Sequence, residues 1–421
     1  MSMGPPVVVS IPLVRYNAQC YLSVDVITHN GVFMRTSTHL FPAVLAGFVA
    51  VLVGYASSAA IIWQAAAAAG ASAQQIAGWM TALGIGMGLS TLALSWWYKA
   101  PVLTAWSTPG AALLATSLHG VTLAETIGVF IFANALILFC GVTGLFARLM
   151  KLIPHSLAAA MLAGVLLRFG LQAFSHLEGN LLLCGSMLMA WLVAKAFAPR
   201  YAMVATLLAG GMVAWATGDV VTKNLTLTVV MPEFIAPTFT LTSLVSIGLP
   251  FFLVTMASQN APGFATMKAS GFPLPVSPLM IFTGGLALLL SPFGVYSICL
   301  AAITAAICQS PDAHPDASKR WLAAAAAGVF YLLAGLFGGS ITALMSALPL
   351  SGVQTLAGLA LLGTISGSLY QALHHEAERD AAIVTFLMTA SGVTLLGIGS
   401  AFWGLVLGGL CYTVLLRVRR T

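Results

Sequence analysis

Four short strings occur twice in this chain, in the same order and at nearly one spacing. Gly128-Val129-Phe130 returns as Gly328-Val329-Phe330, and Ala56-Ser57-Ser58 as Ala257-Ser258-Gln259. Pro154-His155-Ser156 has a counterpart in Pro349-Leu350-Ser351, and Gly210-Gly211 in Gly408-Gly409. Such a repeat says that whatever the first half folds into, the second half folds into again. The halves lie in a membrane, because only 6% of the residues are charged and 60% are hydrophobic, against about 25% charged in soluble domains. Duplicated halves in a membrane chain point to a transporter whose site lies between the repeats.

A helix needs about 20 apolar residues to cross a bilayer. Hydropathy broken at charged and Pro/Gly-marked turns predicts fourteen segments: 39–64, 73–97, 101–118, 122–147, 155–174, 180–198 and 200–217, then 241–262, 275–291, 292–310, 319–339, 349–373, 381–397 and 400–417. With the amino terminus on the cytoplasmic side, nearly every basic residue falls in a cytoplasmic loop or flank, Lys99, Arg148, Lys151, Lys195, Lys268, Lys319, Arg320 and Arg379 among them. Only Lys223 falls outside, and Arg168 falls within segment five; this is the distribution the positive-inside rule requires. Seven segments per half is an odd number, so the second half enters the membrane in the opposite direction. The expected fold is an all-α membrane protein of 14 transmembrane segments arranged as 7+7 inverted repeats, with both termini cytoplasmic.

Segments three and ten break the helical rules in the same way. Segment three reads PVLTAWSTPGAALLATS from Pro101, crowding Ser107, Thr108, Pro109 and Gly110 into the middle of a span. Proline lacks a donor for the helix interior but is favoured at its first turn, and Ser or Thr before it is a good cap. An extended stretch to about Trp106 and a helix from Pro109 are predicted. Segment ten, PFGVYSICLAAITAAIC from Pro292, fits the same template, with its helix beginning near Ser297 to Cys299. The alternative is a pair of continuous, Pro-kinked helices. As half helices they bring two amino ends together at mid-membrane, where unpaired N–H groups favour an anion.

Segment one carries Tyr55, Ser57 and Ser58, and its mate, segment eight, carries Ser258, Gln259 and Asn260 before the helix breaker Pro262-Gly263. These side chains line a cavity between the halves or, for the serines, serve close helix packing. The candidate substrate-binding set is therefore Tyr55, Ser57, Ser58, Trp106, Ser107, Thr108, Gly110, Ser258, Gln259, Asn260, Tyr296, Ser297 and Cys299. Glu125, one turn inside segment four, and His119 before it are candidate proton carriers, with an interfacial Glu facing water, and the proton carried on the substrate's own acidic group, as the other readings. Arg168 reads as lying near the outer end of segment five, where its long side chain reaches the interface. Six cysteines without paired spacing read as small buried hydrophobes, with neither disulfides nor a metal site. No Walker loop, G-x-S-x-G or H-E-x-x-H appears, so neither an enzyme nor a cofactor is expected. The basic residues form no patch suited to nucleic acid.

Four stretches resemble the bacterial benzoate/proton symporters (the BenE family): LAGFVAVLVGYASSAAIIWQAA from Leu45, STPGAALLA from Ser107, IPHSLAAAMLAGVLLRFGL from Ile153 and SPFGVYSICLAAITAAIC from Ser291. The resemblance runs from about Phe41 to the carboxyl end. It implies, more distantly, the seven-plus-seven fold of nucleobase and sulfate-type anion transporters, in which a core domain moves against a gate domain. On that pattern residues 1–38 form an amino-terminal extension, 39–150 and 241–346 the core, 151–217 and 347–421 the gate, and 218–240 a linker. The nucleobase relatives carry glutamates in segments eight and ten, whereas this chain offers Ser258, Gln259, Asn260 and Tyr296 to Cys299. The implied function is proton-coupled uptake of benzoate or a similar aromatic carboxylate across the inner membrane by alternating access. Another small anion, a nucleobase or an anion channel are the rival readings. The expected partners are that carboxylate, a proton, the lipid bilayer and, as an option, a second copy in a homodimer.

Overall fold

The computed structural model describes residues 40–146, 148, 154–220, 229–396 and 398–418, apart from the side chains of Arg200, Ile303 and residues 416–418. The amino-terminal extension, with Cys20, and the basic residues Lys151, Lys223, Arg419 and Arg420 lie outside the described residues. The described residues are mostly helical: α1 Leu40–Ala68, α2 Ala73–Tyr98, α3 Thr108–Ser117, α4 Leu123–Thr143, α5 His155–Gly179, α6 Leu181–Phe197, α7 Ala202–Thr217, α8 Leu241–Ala269, α9 Val276–Leu290, α10 Ile303–Gln309, α11 Trp321–Leu336, α12 Gly338–Ala347, α13 Leu350–His374, α14 Arg379–Ser391 and α15 Ser400–Val418. Two short strands, β1 Thr104–Ala105 and β2 Cys299–Leu300, precede α3 and α10.

Among the described residues, eight helices are long and apolar enough to cross a membrane: α1, α2, α4, α5, α8, α9 with the turn after it, α11 with the turn before it, and α13. Helices α6, α7 and α15 are apolar but shorter. The thirteenth expected segment is cut back, because Gly392 adopts a left-handed conformation (φ 68°) and ends α14 at Ser391, well before residue 397. The eleventh breaks at Phe337 into α11 and α12.

Two of the repeated strings do the same structural job twice. Pro154 and Pro349 both stand at the amino cap of a 25-residue helix, α5 and α13, where the missing N–H costs nothing. Gly210 packs on Met187 of α6, and Gly408 packs on Thr385 of α14, while Gly211 and Gly409 have open space where a Cβ would be. The packing itself also comes in mates: α2 on α11 and α9 on α4, α6 on α7 and α14 on α15, α1 on α3 and α8 on α10, with α5 lying along α13.

Gly128 shows why its string matters. A Cβ there would run into the carbonyl oxygen of Thr238. This close approach lets residues 229–240 lie across α4, where the Thr238 N–H donates to Ala124 O (3.0 Å) and the Ile235 N–H to Pro292 O (2.9 Å).

Candidate functional site

The centre of the molecule is a crossing of two extended segments. β1 and β2 pair antiparallel, Thr104 opposite Leu300 and Ala105 opposite Cys299, and the Ala301 N–H donates to Leu103 O at 2.9 Å. Irregular backbone among membrane helices survives only when its polar groups find partners in the protein, and here they do. The Thr104 N–H donates to Thr91 Oγ1 (3.0 Å) and the Thr104 hydroxyl to Met87 O (3.1 Å), with Ser90 Oγ at 2.7 Å. Ser95 donates to Val102 O (2.8 Å), and Gln309 Nε2 to Pro101 O (3.3 Å). The Ser107 N–H crosses to Ser297 Oγ at 2.9 Å.

Segment three follows the predicted template. Ser107 caps α3, its hydroxyl oxygen accepting from the Gly110 N–H at 3.0 Å, with Pro109 in the first turn. Gly110 lies against Phe251, with no room for a side chain between them. Segment ten departs from it. Its chain stays extended through β2, so the helix starts at Ile303 rather than near Ser297 to Cys299, and it is only seven residues long. The reason is that Ala302 supplies no side-chain cap while β1 keeps the strand paired. The polar amino end at the crossing therefore belongs to α3 alone.

The candidate residues divide into groups. Tyr55 and Trp106 meet edge to face at 4.7 Å, and Tyr331, which the sequence reading missed, adds a third ring 6.2 Å from Tyr55. Ser58 Oγ lies 2.8 Å from Thr108 Oγ1, and Ser57 donates to Gly54 O in its own helix. Together Tyr55, Ser57, Ser58, Trp106, Ser107, Thr108 and Gly110 form one cluster at the start of α3. The hydroxyl of Tyr55 is buried with no hydrogen-bond partner.

Tyr296 goes elsewhere. It is 1% exposed and packs with Phe130 (6.0 Å) and Phe251 (6.2 Å), not with Tyr55 and Trp106. Cys299 is buried within β2.

Segment eight does not break at Pro262-Gly263. A π turn at Met256–Asn260 absorbs the proline, and the helix continues to Ala269. The turn aims Asn260 inward, where its Oδ1 accepts the Leu300 N–H (3.3 Å); Asn260 is thus a strut for β2. Gln259 is half-buried, and its side chain makes no hydrogen bond among the described residues.

Cavities open on both sides of the crossing. Ser258 lines one of about 150 Å³ with His155, Pro262, Ser368 and Gln371. At the carboxyl end of α3 are two more, of about 340 and 380 Å³, both bordered by Thr116, His119 and Arg168. Glu125 sits in the first turn of α4 and closes a reciprocal cap: Thr122 donates to its carboxylate through N–H (3.1 Å) and hydroxyl (3.0 Å), while the Glu125 N–H returns to Thr122 Oγ1. That geometry makes it a helix cap at the end of the span, not a carboxylate inside it. Arg168 corrects a second expectation. Helix α5 runs to Gly179, not 174, so Arg168 lies near its middle instead of at an end.

Comparison with known proteins settles the lineage. Residues 37–414 match the family described as benzoate membrane transport protein (BenE). The chain belongs to the BenE family. It is 68% identical over 374 residues to the inner membrane protein YdcO of Escherichia coli K12, covering 89% of this chain and 96% of that one. It is 41% identical over 376 residues to the benzoate membrane transport protein of Acinetobacter baylyi, covering 89% and 95%. In fold this BenE protein is similar to the transmembrane domain of the cyanobacterial bicarbonate transporter BicA, with a TM-score of 0.59 at 14% identity, covering 90% of this chain and 97% of the other. Murine Slc26a9, an anion transporter solved in its inward-facing state, gives 0.57 at 13% identity, covering 92% and 70%. It is thus a membrane transport protein with an anion-transporter fold.

Proposed function

We propose that this BenE protein is a secondary active transporter that takes up benzoate or a similar aromatic carboxylate together with a proton, by alternating access. The observation that carries the reading is the crossing at β1 and β2. It presents the amino end of α3, with partly buried Thr108 in contact with Ser58, beside the paired rings of Tyr55 and Trp106. A helix amino end attracts a carboxylate and an aromatic pair accepts its ring. No Asp or Glu belongs to this cluster. Ser58 extends the polar side, and Gln259 is available from α8.

Fourteen segments in 7+7 inverted repeats are the framework for the transport cycle. Support comes from the duplicated packing pairs and from β1 and β2, equivalent elements that meet antiparallel as a two-fold axis in the membrane plane demands. A core of residues 39–150 and 241–346 rocks against a gate of 151–217 and 347–421. The cavities on either side of the crossing become the two access routes. The basic-residue distribution supports cytoplasmic termini, and the Escherichia coli relative's description as an inner membrane protein supports that membrane.

Proton coupling is assigned to His119, which borders both cavities at the carboxyl end of α3. Glu125 is engaged in its cap. The test is uptake of labelled benzoate into proteoliposomes with a panel of competitors. Saturable uptake blocked by aromatic carboxylates supports the reading. Competition by nucleobases or inorganic anions alone would replace the substrate, and unsaturable conductance would make the protein a channel.

A further inference from the structure

The side chain of Arg168 is unexplained by the site above. It stands 13 residues from the start of α5 and 11 from its end, about 20 and 17 Å along the axis at ~1.5 Å per residue. Inside a spanning helix a charge belongs with a water-filled cavity rather than with lipid, and Arg168 borders two cavities. Arg168 is solvent-accessible, yet among the described residues it makes no ion pair and no hydrogen bond. Its guanidinium lies against Gly392, where a Cβ would overlap Nη2. An unpaired charge within a membrane-spanning helix is expensive and marks a solute pathway.

The cavity of about 380 Å³ beside it has the matching walls. Trp63 and Phe169 contribute aromatic surface, and Gln64 contributes a buried Nε2 donor that has no partner. No carboxylate is among the described residues lining it or the adjoining cavity of about 340 Å³. The volume falls within the ~300–1,000 Å³ usual for small-molecule sites. A cation, an orphan amide donor and two aromatic residues in one cavity suit a molecule that is an anion at one end and a flat ring at the other.

We propose that this cavity between α1, α3, α5 and α13 is a second binding site for the aromatic carboxylate, in which Arg168 takes the carboxylate and Trp63 and Phe169 flank the ring. The inference rests on the aromatic-carboxylate reading of the transporter. The guanidinium fork matches a carboxylate in two parallel hydrogen bonds, and Arg168 serves as the first recognition point on the path to the crossing. Lysine at this position keeps the charge but not the fork.

Two experiments on the full-length protein in detergent or proteoliposomes test this. In the wild type, phenylglyoxal labelling of Arg168, read by mass spectrometry, is expected to slow in saturating benzoate and to be unaffected by benzamide, the uncharged analogue. With Arg168→Gln, the half-saturating benzoate concentration rises on the order of tenfold to a hundredfold, as expected for a charge-assisted pair, and the preference for benzoate over benzamide shrinks. Arg168→Lys falls between. Labelling of Arg168 at one rate with and without benzoate, in protein that transports benzoate, would overturn the second site and leave the transport reading standing. A wild type that neither binds nor transports benzoate would overturn both.

Discussion

Replacing Ser297 by alanine tests whether the two extended segments hold each other in place. Its hydroxyl oxygen accepts the Ser107 N–H at 2.9 Å, and both residues are fully buried. Alanine leaves that N–H with no partner and no route to water. An orphaned buried donor costs about 1–3 kcal/mol. Ser107 is also the cap of α3, so the loss acts on the residue that decides where the half helix begins. The control is Ser57→Ala. That hydroxyl donates to Gly54 O, a carbonyl inside α1 that keeps its helical partner, so nothing is orphaned and the change stays within about 0.5 kcal/mol. Equilibrium unfolding of both purified variants gives the comparison, and Ser297→Thr, which restores a hydroxyl, is expected to recover part of the loss. If Ser297→Ala proved as mild as Ser57→Ala, the crossing would not be held by this bond and the reasoning would fail.

Further outcomes follow from the same structure. Gly128→Ala lowers the thermal midpoint, because the new methyl meets the Thr238 carbonyl, whereas Gly211→Ala, with open space around it, keeps the ~0.5–1 kcal/mol that alanine gains over glycine in a helix. Glu125→Ala lowers the thermal midpoint as a lost capping-box partner yet leaves gradient-driven benzoate accumulation intact, while His119→Asn abolishes the dependence of uptake on the pH gradient. In the loop before α11, the hydroxyl and then the N–H of Ser318 hold the Asp316 carboxyl below the usual carboxylate range. Asp316 therefore adds stability above the unfolded value of about 3.9 and loses it as pH falls through the lower folded value. Thermal melts of Asp316→Ala should show a deficit at pH 7 that closes in acid.

Much of the central architecture is legible in the sequence, because caps and prolines act locally. Ser107 and Pro109 set the start of α3 whatever surrounds them, and Pro154 and Pro349 do the same for α5 and α13. The start of α10 is not legible, since no residue near Ser297 caps a helix and pairing with β1, a contact between residues almost 200 positions apart, keeps the chain extended. Tyr296 is misassigned for a related reason: in irregular backbone no periodicity says which way a ring turns. Asn260 reads as a ligand because its polarity is visible, while the strand N–H that consumes it is not. Arg168 is displaced in the reading because hydropathy falls at Ser175-His176, although the backbone stays helical to Gly179. His176 pairs with Gln354 of α13 and keeps that polar turn packed. The hydroxyls of Ser90, Thr91 and Ser95 carry a signal, a polar face at helical spacing in α2, whose partner only the fold reveals.

The most direct test of the account is the accumulation of labelled benzoate in proteoliposomes under imposed pH gradients, measured against protein-free vesicles so that passive entry of the neutral acid is subtracted. Saturable, protein-dependent accumulation above the external concentration is expected when the outside is acidic, abolished by a protonophore. Protein-dependent uptake that ignored the gradient, or none above protein-free vesicles, would contradict it.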